Sequence, residues 1–125
     1  MSYTLPPTGS HFISLQQAID MTSRYRSNRE SILAANYQNQ NILALNETFN
    51  KPDLETILAI NGCAGLRCYY GMDESLKVHA IFVAVNSQGE DILPSGLSAL
   101  DEETDIVEEG QRCPDICPPA SPLNT

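Results

Sequence analysis

Apolar residues recur at helical spacing from Leu15 onward, through Ala18, Ile19, Thr22 and Tyr25 to Ile32 and Leu33. Side chains three and four apart share one helical face, so this spacing predicts a long N-terminal helix over residues 15–35. Ser14 stands where an N-cap belongs and Gln17 follows three residues later, the spacing of a capping box. Residues 44–48 are short and mixed, consistent with an edge strand or a loop. Pro52 then opens a second, shorter helix with Leu54, Ile57 and Leu58 as its stripe, and Asn61-Gly62 closes it. The period changes to two over residues 65–72. Leu66, Cys68, Tyr70 and Met72 fall on one face, and Arg67, Tyr69 and Gly71 on the other. Residues 76–85 follow a turn and become apolar on both faces from Ala80 on, as in a central strand covered on both sides. Asn86 to Gly89 predicts a turn, and residues 91–93 a short third strand ended by Pro94.

The pattern predicts an α+β fold, with two helices packed on a small, mainly antiparallel sheet of three to four strands. Residues 1–12 read as an irregular arm, 13–110 as a single domain and 111–125 as an extended tail rich in Cys and Pro. Residues 99–109 fit either a short helix or a solvated loop. One helical layer leaves one face of the central strand bare, either Val83 and Val85 or Ala80, Phe82 and Ala84. An apolar patch of that kind predicts a homo-oligomer or a protein partner, or the tail folded across it.

Composition narrows the function classes. The chain has 125 residues, the size of one domain, and 42% of them are hydrophobic. Seven bases stand against sixteen acids, a formal charge of -9. Six acids fall within residues 101–109. This balance argues against a nucleic-acid or anionic-membrane partner, whose affinity comes from positive charge. The longest apolar run, Ala80 to Val85, is far below the ~20 residues of a membrane span. The N-terminus lacks the pattern of a secretory signal, so a cytoplasmic location is expected. In that compartment Cys63, Cys68, Cys113 and Cys117 are expected as thiols or metal ligands rather than disulfides.

Few residues form a chemical constellation. The spacings Cys63-x4-Cys68 and Cys113-x3-Cys117 are wider than the usual zinc knuckle. A thiolate site at Cys113 and Cys117, with His79 as third ligand, is the metal-binding alternative. Cys63 and Cys68 fit small core positions. His79, flanked by Val78 and Ala80, fits a satisfied sheet histidine. The acidic run lacks the glycine and spacing of an EF-hand. No nucleophile–base signature is present, so an enzyme is not favoured and no cofactor is implied. The polar set best suited to a small anion is Tyr25 and Arg26 on the first helix with Arg67 and Tyr69 on one strand face. It needs the helix to cover that face. The ordinary alternative is an ion pair between Arg67 and an acid such as Glu47 or Glu55.

Several strings carry a resemblance: Ile13-Ser14-Leu15-Gln16-Gln17-Ala18-Ile19, then Gly62-Cys63-Ala64-Gly65-Leu66-Arg67-Cys68-Tyr69-Tyr70-Gly71-Met72-Asp73. Val83-Ala84-Val85-Asn86, Gly89-Glu90-Asp91 and Cys113-Pro114 with Cys117-Pro118 complete it. Over residues 13–119 the chain resembles a family of short uncharacterised proteins of Bacteroidetes-type bacteria. The resemblance implies a core role for position 68 and no particular activity. The expectation is a non-catalytic binding or interaction module that self-associates. A small-molecule site at Arg67 and Tyr69 and the thiolate metal site are the alternatives.

Overall fold

Each end of the first helix follows from local chemistry. The computed structural model describes residues 11–94 and 106–125. Helix α1, Leu15–Asn28, starts at the capping box: Ser14 Oγ accepts from the Gln17 amide, and Gln17 Oε1 accepts from the Ser14 amide. It stops seven residues before the apolar spacing does. Ser27 and Asn28 are weak helix formers. Asn28 Nδ2 donates to Arg24 O, and Arg29 reaches away from the helix to Leu43 O at 2.6 Å. Ile32 and Leu33 therefore lie in a turn, followed by a 3-10 turn at Ala35–Tyr37.

The remaining elements are β1 (Asn46–Thr48), α2 (Lys51–Leu58), β2 (Gly65–Met72), β3 (Val78–Val85), β4 (Ile106–Val107) and β5 (Gln111–Cys113). Helix α2 carries Pro52 in its first turn, and Gly62 beyond it takes φ +86°, which a side chain would strain. Strands β2 and β3 form an antiparallel hairpin from Gly65↔Val85 to Met72↔Val78. Two antiparallel sheets result, β2-β3-β4 and β1-β5. The fold is α+β, with a shorter first helix and a differently composed sheet than the pattern predicts.

The predicted third strand at 91–93 gives only the bridge Val85↔Asp91; the third strand is β4. Pro94 has no amide to continue a ladder, and the Asp91 side chain is engaged elsewhere. Residues 44–48 do not flank the main sheet but pair with β5, so the segment expected as an extended tail begins with a strand. Most of the 99–109 alternative lies outside the described residues; its end forms β4.

The core lies around the second half of β3. Val83, Ala84 and Val85 are buried together with Ile57 of α2, Val107 of β4 and Ile42. Both faces of β3 are closed there, so the bare valine or alanine patch does not exist. The exposed apolar stripe sits on β2 instead, where Tyr70 is 81% and Met72 61% exposed. Cys68 is exposed beside them rather than in the core. Among the described residues no helix is long and apolar enough to cross a membrane.

Candidate metal centre

One edge of β3 is only partly matched by a strand. β4 pairs with Phe82 and Val83 and goes no further. Buried backbone groups beyond that point still need partners. Three groups supply them. Ile42 O accepts from the Val78 amide at 2.8 Å, Arg112 Nε donates to Val78 O at 3.0 Å, and Glu47 Oε1 accepts from the Ala80 amide at 2.7 Å. Glu47 is thus held by one oxygen, and its other oxygen, Oε2, is buried without a partner.

His79 lies between Val78 and Ala80 and comes from the face that Glu47 approaches. Its Nε2 is 2.8 Å from Asp73 Oδ2. The Lys77 and Ser75 amides also donate to Asp73 Oδ1. The His79 bond first, and these amides after it, hold the Asp73 carboxyl below its ordinary range. With the Nε2 proton on Asp73, the His79 Nδ1 lone pair points the other way. Glu108 follows β4 and brings Oε1 to 3.0 Å from Nδ1. No hydrogen bond joins the two atoms, and both are buried without a partner.

Glu47, His79 and Glu108 therefore offer one ligand atom each, all within 4.8 Å of one another. Three inward-facing acceptors repel unless a cation sits between them. Atoms roughly 2.1 Å from one ion stand about 3.4 Å apart, so seating an ion asks for a small side-chain adjustment. An imidazole whose second nitrogen is fixed by a carboxylate is the usual orientation of a metal-bound histidine. The Glu108 side chain is about one-third exposed, which leaves a route from solvent. Arg112, only 5% exposed and held by the carbonyls of Val78, Asn41 and Ile42, adds buried positive charge next to His79.

The residues expected at an anion site do not converge. Arg67 pairs with Asp91 at 2.7 Å, not with Glu47 or Glu55, and the Tyr69 hydroxyl donates to the same carboxylate. Tyr25 donates to Ala44 O at 2.6 Å, and Arg26 to Leu123 O and Thr125 O. Helix α1 faces the segment before β1 and the C-terminal residues instead of the Arg67 face of the sheet. The thiolate site is also corrected: Cys113 and Cys117 form a disulfide, so neither offers a thiolate, and His79 faces Glu47 and Glu108 instead. Sequence reasoning weighed His79 with the wrong partners and passed over Glu47 and Glu108. The available signal was a histidine at the start of a strand whose apolar neighbours mark burial. Nothing in the spacing tied it to a glutamate 32 residues earlier. No family model, curated protein or solved structure matches the chain.

Proposed function

We propose that the protein is a non-catalytic binding domain whose ligand is a divalent first-row cation, held by Glu47, His79 and Glu108. The observation that carries this is the set of three buried, unpartnered ligand atoms facing one another. One imidazole with two carboxylates suits Zn²⁺, Mn²⁺ or Fe²⁺ better than Ca²⁺, which prefers six or more oxygens. Three protein ligands leave coordination positions for water or for a group from a partner.

Calorimetric titration of chelator-treated protein with Zn²⁺ and Mn²⁺ tests it. A Cys63→Ser, Cys68→Ser background removes the two free thiols. One ion per chain is expected, lost in His79→Ala and in Glu108→Gln. Cation at a hundred times its Kd should raise the unfolding free energy by about 2.7 kcal/mol. Absent binding, or binding unchanged by both substitutions, overturns the proposal.

The exposed stripe on β2 favours a second use, the self-association expected from the sequence. No described strand pairs with the outer edge of β2, and residues 65–72 include no acid, so two copies meet there without local charge repulsion. Light scattering on the wild type and on Tyr70→Asp decides it. A dimer that the substitution dissociates supports this use, and a monomer at high concentration ends it.

A further inference from the structure

A cavity of about 280 Å³ opens between α1 and the C-terminal residues, away from the metal centre. Thr22 and Arg26 line one side, Leu45 and Leu123 supply apolar wall, and the Cys113–Cys117 disulfide completes it. The volume suits a small molecule of a few heavy atoms. Arg26 donates only to the carbonyls of Leu123 and Thr125, and forms no ion pair with a side-chain carboxylate among the described residues. In a chain of formal charge -9 this is an uncommon place for a cation facing a cavity.

The disulfide adds little that the backbone does not already provide. Its turn is closed independently by the Ile116 amide donating to Arg112 O at 2.8 Å. Cys113 is anchored by its place in β5, opposite Asn46, and by Leu45 donating to its carbonyl. The two sulfurs differ in access: Cys113 is 4% exposed, whereas Cys117 is an exposed residue. A thiolate attacks a disulfide along the S–S axis, and the open side of this one is Cys117.

We propose that the cavity is a thiol–disulfide exchange site for small thiols that carry a carboxylate. Arg26 binds the carboxylate. The thiol gives its proton to solvent and its sulfur attacks Cys117 Sγ. The S–S bond breaks, and its electron pair leaves on Cys113 Sγ, which takes a proton from water. The product is a mixed disulfide at Cys117 with a free thiol at Cys113. A second thiol of the same kind releases the symmetric small disulfide and leaves the protein dithiol. This site does not depend on the metal proposal.

The test uses full-length protein with Cys63→Ser and Cys68→Ser, so that exchange reports on one disulfide. The probes are 3-mercaptopropionate and 2-mercaptoethanol at equal thiolate concentration, with iodoacetamide quenching and peptide mass mapping. The expected product carries the adduct on Cys117 and the alkyl group on Cys113. The charged thiol should be favoured about tenfold in native over denatured protein, as a focused cationic site gives. Arg26→Gln should erase the preference and Arg26→Lys keep part of it. Rising salt should weaken it in the unsubstituted Arg26 protein, a readout that survives if Arg26→Gln does not fold. An adduct on Cys113, a disulfide that opens only on denaturation, or a preference indifferent to salt overturns the proposal.

Discussion

Two polar clusters share one face of the β2-β3 hairpin, and they are built differently. Arg67, Tyr69, Gly71 and, across from them, Val83, Ile81 and His79 all lie on that face. At one end Asp91 accepts from both Arg67 and Tyr69, so the charge of each ion is answered. At the other end Glu47, His79 and Glu108 bring ligand atoms together and leave them unpartnered. Buried polar atoms are almost always paired, because an orphan forfeits its hydration without return. A saturated cluster stabilises a fold and has nothing left to offer a ligand. An unsaturated one at the same depth is kept for something that arrives. The contrast teaches that residue type is a poor guide to a site, and remaining valence a better one.

The comparison breaks first at the ligands. His79→Ala should reduce cation affinity at least about a hundredfold, since it removes one of three protein ligands. Arg67→Ala should leave affinity within about twofold while lowering stability by about 1 kcal/mol, the size expected of a partly exposed charged pair. Calorimetry and denaturant unfolding on the two variants separate these effects. Equal loss of affinity in both would make the two clusters one structural unit and dissolve the distinction.

Asp73 sharpens it. The carboxylate contacts the proposed ligand His79 from behind and would not touch the ion. Asp73→Asn should therefore weaken cation binding by about tenfold, as outer partners of metal ligands do. The loss should exceed that in Asp91→Asn, although both remove one carboxylate charge from the same hairpin. If Asp91→Asn has the larger effect, long-range charge rather than orientation controls the centre.

Gly110 tests whether the centre is rigidly built. A Cβ there would lie 2.6 Å from Phe49 Cζ and 3.0 Å from Glu47 Oε2. The Phe49 ring has little room to yield, since it stands edge-on to Phe82 with centroids 5.0 Å apart. Gly110→Ala should cost about 1–3 kcal/mol of stability and displace Glu47, lowering cation affinity severalfold. Unchanged melting and unchanged affinity would mean that the carboxylate moves freely.

What was legible in the sequence follows the range of the interaction that decides it. The Ser14-Gln17 box, the Gly62 stop and the 65–85 hairpin rest on contacts among near neighbours, and each forms where the pattern places it. The end of α1 was misplaced because Arg29 finds Leu43 O across the fold, which periodicity does not register. The pairing of β1 with β5 joins residues 46 and 113, and two- and three-residue strands carry almost no alternation to read. The metal centre inherits that obscurity. Glu47 arrives from β1 and Glu108 from beside β4, so only His79 stood out, and its partners were sought among cysteines that bond to each other. The Arg67–Tyr69 pair was read on the correct face, but its partner was Asp91 from the bridge that replaces a strand.

The smallest effect belongs to Tyr25, outside both clusters, and it measures the scaffold that delivers Glu47. Its hydroxyl donates to Ala44 O, two residues before β1. Burial is the main cause that raises its pKa above 10, opposed by the nearby Arg29 and Arg112. The neutral phenol is thus favoured by folding. Its contribution is complete below the unfolded value near 10 and is lost as pH rises from there through the folded value. Stability measured by denaturant should therefore fall from about pH 10 upward, and Tyr25→Phe should flatten that slope while costing little near neutrality. Cation affinity at pH 8 should differ by less than about twofold between the two proteins. A large loss of affinity in Tyr25→Phe would show that the single bond to Ala44 O, not the Glu47 contact with β3, fixes the position of β1.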